Sequence, residues 1–261
     1  MLYENIVVTV ADHIATILLN RPEKRNAMHG PLIKEMIQAL ENLMTDSAVQ
    51  VLVIRGTGEH FCAGADIGWM KQIAAGSYSD NYDDAQLLAD FLYNLYHFPK
   101  PTVALVHGAT MGGGLGIVAA CDIAFAAKNA SFGFSEVKVG IAPCIISPYV
   151  LAAIGERQAH YYFLTGERFN AEEAQRIGFV HRVVENEVLL STGIALAKTL
   201  QKNGPHALTA VKQLIRQVAK EKITEELTQK TAEYLANLRS SPEGEEGLRA
   251  FLEKRTPVWN D

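Results

Sequence analysis

Residues 108–122, GATMGGGLGIVAACD, join a run of three glycines to an apolar segment. Glycine has no Cβ and lets the backbone approach a ligand closely, and the apolar residues that follow predict a buried helix. Because the first N–H groups of a helix lack partners within it, we expect Gly112 and Gly113 to line a ligand site, with the N–H of Gly113 as a donor. Close packing of the helix against its neighbours explains the same glycines without a ligand.

The segments around this stretch alternate between strand-like and helix-like patterns. Short apolar runs that end at turn residues predict strands at residues 15–20, 51–55, 102–106 and 122–127. Apolar residues at helical spacing predict helices at residues 32–43, 195–200, 207–218 and 225–238. This alternation predicts an α/β fold with a core over residues 1–190, followed by a helical region over residues 191–261.

The composition argues against several classes of protein. The chain has 261 residues, of which 48% are hydrophobic, and its net charge of −5 is unfavourable for a general nucleic-acid surface. Its three cysteines, Cys62, Cys121 and Cys144, are widely spaced and form no CxxC pair. This usage predicts a reduced, intracellular protein without a disulfide framework or a zinc site.

The N-terminal sequence shows no targeting pattern. MLYENIVVTVADHIATILLNRP lacks the basic segment, the uninterrupted apolar stretch and the cleavage site of a secretory signal. No run of about 18 apolar residues occurs, so no membrane span is predicted. The expected location is the cytoplasm, or an organelle matrix if an import signal was removed.

A second informative stretch, residues 60–66, reads HFCAGAD. Gly64 lies between two alanines just before a predicted helix, and a helix N-terminus favours negative charge. The N–H of Ala65 is therefore a candidate donor to a polarised carbonyl oxygen. A tight strand-to-helix turn without a ligand fits the same residues. The acidic residues 80–84, DNYDD, are interpreted as a solvated surface segment.

The third stretch, residues 131–143, reads SFGFSEVKVGIAP and holds one carboxyl group among apolar residues. An apolar environment raises the pKa of a carboxyl group and suits it to proton transfer. Glu136 is therefore the candidate acid/base, and the alternative is a solvent-facing glutamate on a strand.

Other catalytic and cofactor motifs give little or no signal. GxxxxGK[ST], GxSxG and HExxH are absent, which argues against a P-loop and against serine or metal hydrolases. A loose GxGxxA begins at Gly114, but Glu136 does not follow it in the position of a ribose-binding acid. No metal and no separate cofactor is expected.

Taken in order, FxAGAD, then GGG before an apolar helix, then FGxxExxxGxxP, resemble the crotonase superfamily of enoyl-CoA hydratases and isomerases. LNRPEKRNA at residues 19–27, LTGERFNAEEAQRIGFVHRVV at residues 164–184 and FLEKRTPVW at residues 251–259 extend the resemblance over nearly the whole chain. It implies a spiral of repeated ββα units, C-terminal helices that assemble a homotrimer or a hexamer of paired trimers, and an acyl-CoA thioester as substrate.

The resemblance also implies roles for individual residues. The N–H groups of Ala65 and Gly113 match an oxyanion hole, and Glu136 matches a catalytic carboxyl group. The residues that match positions contacting CoA or the acyl group are Lys24, Arg25, Ala27, Ala63, Asp66, Ile67, Trp69, Gly112, Phe251 and Lys254. Residues 80–84 lie where the superfamily varies, and the alternative to a solvated surface is that they help to shape the acyl pocket.

One position departs from the common hydratase pattern. Such hydratases carry a first glutamate where this chain has Gly116, so Glu136 is left as the single carboxyl group. HFCAGADIGWMKQ at residues 60–72 and SEVKVGIAPCIISPYVLAAIGER at residues 135–157 resemble bacterial methylglutaconyl-CoA hydratases. This finer resemblance predicts hydration of a branched, carboxylated enoyl-CoA such as 3-methylglutaconyl-CoA. The alternatives are a Δ3-Δ2-enoyl-CoA isomerase, in which Glu136 shuttles a proton between carbons, and a non-catalytic acyl-CoA-binding scaffold.

Overall fold

The structure is a computed structural model that describes residues 3–260. Its strands in this part of the chain are β1 (Ile6–Ala11), β2 (Ile14–Leu19), β3 (Val51–Gly56), β4 (Thr102–Val106), β5 (Ala109–Met111), β6 (Ile123–Ala127), β7 (Ser131–Gly133), β8 (Arg168–Asn170) and β9 (Arg182–Val184). Its α-helices are α1 (Gly30–Thr45), α2 (Ile67–Ala74), α3 (Tyr78–Tyr96), α4 (Gly113–Ala120), α5 (Ser147–Thr165), α6 (Ala171–Arg176), α7 (Leu189–Gln201), α8 (Pro205–Val218), α9 (Glu225–Arg239) and α10 (Pro242–Glu253).

The strands form two sheets that share a repeated chain path. A six-stranded sheet has the order β1-β2-β3-β4-β6-β9 and is parallel from β2 onward, and a second sheet has the order β5-β7-β8. The units β4-β5-α4 and β6-β7-α5 each add one strand to each sheet and then a helix. The predicted α/β fold with repeated ββα units is therefore confirmed.

The parallel strands are apolar throughout because both faces of their sheet are covered. All five residues of β4 are buried. One face packs into the main core with α1, α3, α4 and α5. The other face presents Val53, Leu105 and Phe125 to Leu189 and Ala197 of α7. The first helix of the predicted C-terminal region therefore covers the sheet of the core.

The four predicted helices are present with longer bounds, as α1, α7, α8 and α9. The four predicted strands are present within one residue of their predicted bounds, as β2, β3, β4 and β6. The strand β9 was not predicted, because it is only three residues long and leaves little pattern in the sequence. It pairs with β6 and extends the parallel sheet. Within residues 3–260, no helix is long and apolar enough to cross a membrane.

Candidate active site

Backbone hydrogen bonds hold the HFCAGAD segment beside β5. The N–H of Cys62 donates to the carbonyl oxygen of Ala109 at 3.2 Å, and the N–H of Met111 donates to that of Cys62 at 2.9 Å. Gly64 adopts a φ of +97°, and a Cβ on it would lie 3.3 Å from the Met111 carbonyl oxygen. The segment can pass this close to Met111 because Gly64 has no side chain.

The other side of the segment is bonded to the loop before α1. The N–H of Met28 donates to the carbonyl of Gly64 at 2.7 Å, and the N–H of Asp66 donates to the carbonyl of Met28 at 2.8 Å. These two bonds leave the N–H of Ala65 on the opposite side of the backbone. Among residues 3–260, no protein acceptor takes a hydrogen bond from it.

A second N–H group is free at the start of α4. Gly113 is the first residue of that helix, and its N–H has no protein acceptor in the described part of the chain. Gly112 adopts a φ of +48°, and a Cβ on it would lie 3.9 Å from the Cα of Gly64. The two predicted oxyanion-hole segments therefore lie side by side.

The carboxyl group of Glu136 lies next to these segments. Its Oε1 is 3.5 Å from where a Cβ on Gly112 would be, and its Oε2 is buried without a hydrogen-bond partner among residues 3–260. Burial raises the pKa of Glu136, although its own backbone N–H opposes this shift. Glu136 begins a short 3-10 helix, Glu136–Val139, rather than lying on a strand.

A cavity of about 620 Å³ connects the candidate donors to this carboxyl group. Its wall comes from α2, α3, the start of α4 and the segment after β7, and it is mostly apolar. The predicted site residues that line it are Ala63, Ala65, Trp69, Gly112, Gly113 and Glu136. The structure thus brings these six residues together, and their chemical roles stay predictions.

Asp66 fixes the start of α2. Its Oδ1 accepts hydrogen bonds from the N–H groups of Gly68 at 2.8 Å and Trp69 at 3.2 Å, and its Oδ2 pairs with Arg21 at 2.9 Å. Burial acts to raise the pKa of Asp66, but the bonds from Trp69, Arg21 and Gly68 outweigh it and lower that pKa. Asp66 therefore orients the helix that follows Ala65, and its predicted contact with CoA stays a prediction.

The predicted CoA-binding loop is held by a buried asparagine that the sequence analysis missed. The side chain of Asn26 accepts a hydrogen bond from the Arg21 N–H at 2.9 Å and donates to the carbonyls of Thr57 and His60, both at 2.8 Å. Its φ of +55° is a conformation that asparagine tolerates better than most residues. The only available signal was the asparagine within LNRPEKRNA.

This loop places the predicted CoA-binding residues at the edge of the site. Lys24 and Arg25 are exposed and Ala27 is buried. The N–H of Ala63 donates to the carbonyl of Arg25 at 3.0 Å, which holds the loop against the HFCAGAD segment. Ile67, the first residue of α2, is exposed and does not line the cavity.

Seven of the thirteen predicted site residues do not line this cavity: Lys24, Arg25, Ala27, Asp66, Ile67, Phe251 and Lys254. Phe251 and Lys254 lie at the end of α10, which packs against α8 and α9. Both side chains are exposed, and neither lines the cavity. Their predicted contact with CoA stays a prediction.

At Asp84 the structure departs from the interpretation of residues 80–84 as a solvated surface and agrees with the alternative that they shape the pocket. This side chain is half-buried, lines the cavity and accepts a hydrogen bond from Nε1 of Trp69 at 2.7 Å. The charge run gave no sign of this contact, because it depends on how α2 packs against α3.

The raised pKa of Glu136 predicts a pH-dependent change in stability. At pH values below 4.5, the ordinary pKa of this group, the carboxyl group is largely protonated in both the folded and the unfolded chain. Its ionisation then has little effect on stability. As the pH rises above that value the unfolded chain loses its proton first, so ionisation favours unfolding until the folded pKa is passed. We expect Glu136→Gln to raise the melting temperature at about pH 8 but not at about pH 4. An equal change at both pH values would contradict the raised pKa.

Comparison with known proteins gives consistent results. The family profile for enoyl-CoA hydratase/isomerase matches residues 9–261. A 2,3-dehydroadipyl-CoA hydratase of Escherichia coli is 33% identical, with 97% of each chain covered. A mevalonyl-coenzyme A hydratase of Aspergillus fumigatus is 35% identical, with 95% of this chain and 91% of the relative covered. The crystal structure of an enoyl-CoA hydratase from Shewanella pealeana is 39% identical, has a TM-score of 0.95 and matches 98% of this chain and 96% of its own.

Proposed function

Because this chain belongs to the enoyl-CoA hydratase/isomerase family, we propose that it adds water to the double bond of an enoyl-CoA thioester with Glu136 as the only proton-transferring carboxyl group. One observation carries this proposal. The half-buried carboxyl group of Glu136, whose Oε2 has no partner among residues 3–260, shares a cavity with the two free N–H groups of Ala65 and Gly113.

The proposed reaction follows from these positions. The thioester oxygen accepts hydrogen bonds from the N–H groups of Ala65 and Gly113. Water attacks Cβ, the π electrons move to form an enolate, and the two N–H groups stabilise the negative charge on its oxygen. The carboxylate of Glu136 takes one proton from the water as the O–Cβ bond forms. Glu136 then donates that proton to Cα, which restores the carboxylate and leaves a 3-hydroxyacyl-CoA.

The acyl group that we propose is branched and carboxylated, as in 3-methylglutaconyl-CoA, which would place the enzyme in leucine breakdown. The name of the Escherichia coli relative designates a dicarboxylic acyl group, which supports this choice for a chain that is 33% identical. Among residues 3–260, no Lys, Arg or His lines the cavity. A substrate carboxylate would therefore extend to the open end of the cavity, where water solvates it.

Mass spectrometry of the acyl-CoA tests the reaction. Crotonyl-CoA and 3-methylglutaconyl-CoA are each incubated with the purified protein, and we expect a gain of one water, faster for the second substrate. A 3-enoyl-CoA that becomes its conjugated isomer, with no water gained from either substrate, would establish the isomerase instead. Tight binding of acyl-CoA without any turnover would establish the non-catalytic scaffold.

The proposed assembly is a homotrimer or a hexamer formed through the C-terminal helices. Exposed apolar side chains on α8 and α10 support this proposal, because a contiguous apolar surface on a subunit is typical of an interface with another subunit. They are Val211, Ile215, Leu248, Phe251 and Leu252. Sedimentation analysis of the purified protein gives the number of subunits, and a monomer would contradict the proposal. The cytoplasmic location stays a prediction.

A further inference from the structure

One face of α3 runs along the active-site cavity. A Cβ on Gly113 would lie 3.8 Å from Cδ2 of Leu88, and a Cβ on Gly116 would lie 2.9 Å from Cδ1 of Leu92. Asp84 precedes Leu88 by four residues and therefore lies on the same face, about 6 Å further along the helix axis. It lines the same cavity as Glu136.

The orientation of Asp84 is set by Trp69. The indole packs against Gly30, where a Cβ would lie 2.6 Å from Cζ2, and its ring meets that of His29 edge-on at 6.3 Å between centroids. Its Nε1–H donates to Oδ1 of Asp84 at 2.7 Å. One carboxylate oxygen of Asp84 is thereby held against the wall of the cavity.

The second oxygen, Oδ2, has no donor among the described residues, and none of them supplies a cation to the cavity. A carboxylate only accepts hydrogen bonds, so this oxygen can accept one from an O–H or N–H group that enters the cavity. The enoyl group has no donor at its reacting carbons. In the proposed hydration, the attacking water is the group near these carbons that can donate an O–H to the free oxygen of Asp84.

We propose that Asp84 holds the attacking water, and afterwards the 3-hydroxyl group of the product, by accepting a hydrogen bond from it. This inference rests on the proposed hydration. In this proposal Asp84 on α3 is a second carboxylate in the active site. The helix α4 has none, because Gly116 occupies the position at which the common hydratases carry their first glutamate. One O–H of the water points to Asp84, and the other gives its proton to Glu136 as the O–Cβ bond forms. Asp84 takes no proton, so the proton balance of the reaction is unchanged.

The variant Asp84→Asn tests the role of this oxygen. The amide oxygen can still accept from Trp69, which turns the NH₂ group toward the cavity, and an NH₂ group cannot accept from water. We expect kcat for hydration to fall about 100-fold with little change in KM, because the water is no longer held in place. The matched control is Asp83→Asn, the same change at an exposed neighbour on α3, which should leave hydration unchanged.

A second reaction separates this role from a structural one. Exchange of an α-hydrogen of butyryl-CoA in D₂O needs the oxyanion hole and Glu136 but no attacking water. Asp84→Asn should therefore keep exchange within about threefold of the wild type while it loses hydration. Trp69→Phe removes the indole donor but keeps the carboxylate, and it should lose less hydration than Asp84→Asn. Equal loss of hydration and exchange in Asp84→Asn would overturn the proposal.

Equilibrium binding provides a readout that does not depend on turnover. The wild type should bind 3-hydroxybutyryl-CoA about 10-fold tighter than butyryl-CoA, as expected for a hydrogen bond to a charged group, and Asp84→Asn should abolish the difference. A difference that survives in Asp84→Asn would overturn the inference about Asp84 alone. A wild type that exchanges the α-hydrogen but hydrates no enoyl-CoA would instead refute the proposed function.

Discussion

Replacement of Glu136 by glutamine is expected to reduce kcat for hydration of an enoyl-CoA about 1,000-fold, within the range typical of general acid–base residues. Glutamine keeps the shape of the side chain but cannot take a proton from water or give one to Cα. No second carboxyl group is available on α4, where Gly116 replaces it. The loss of ultraviolet absorbance of the conjugated thioester measures kcat and KM for the variant and the wild type.

The same variant should still bind acyl-CoA, because the N–H groups of Ala65 and Gly113 belong to the backbone. An unchanged dissociation constant for butyryl-CoA is therefore the internal control. Glu156→Gln serves as a matched change at an exposed glutamate on α5, and it should leave kcat unaltered. A decrease in kcat of less than about 10-fold in Glu136→Gln would show that another group transfers the proton.

The parts of the site that the sequence predicted are those that depend on the backbone. Gly113 begins α4, so its free N–H follows from helix geometry alone. Ala65 precedes the N-cap residue of α2, and its N–H is left free by the bonds of its two neighbours to Met28. The positive φ values of Gly64 and Gly112 explain why glycine occupies these positions. Glu136 is predicted as the acid/base because a single carboxyl group stands among apolar residues, and the structure places it in the cavity.

The parts that were missed depend on contacts between distant side chains. Asp84 lies in an acidic run that resembles a solvated surface, and only the packing of α2 against α3 brings it to Trp69. Asn26 joins a turn to residues more than 30 positions away. Phe251 and Lys254 lie outside this cavity, and their contact with CoA, which only the motif predicts, stays a prediction.

Introduction of a glutamate at Gly116 is expected to destabilise the protein by about 3–5 kcal/mol rather than to create a two-carboxyl active site. Gly116 is buried, and a Cβ on it would lie 2.5 Å from Cγ2 of Ile146 and 2.9 Å from Cδ1 of Leu92. Both neighbours are themselves buried. A carboxylate in this place meets apolar atoms and no cation, so it combines overpacking with an unpaired buried charge. Urea unfolding followed by circular dichroism measures the change in the free energy of unfolding.

A double variant shows whether the clash with Ile146 is the cause. Ile146→Ala alone should cost about 2–5 kcal/mol because it leaves a cavity in the core. If the glutamate fills that cavity, the loss of unfolding free energy in the double variant should be smaller than the sum of the two single losses by about 1–2 kcal/mol. Additive losses would mean that Ile146 does not close the position. A Gly116→Glu variant as stable as the wild type and faster in hydration would show that the first carboxyl group can be restored by one substitution. The expected outcome implies instead that the absence of a carboxyl group on α4 is built into the packing of α3 and α4 against the residues around Ile146.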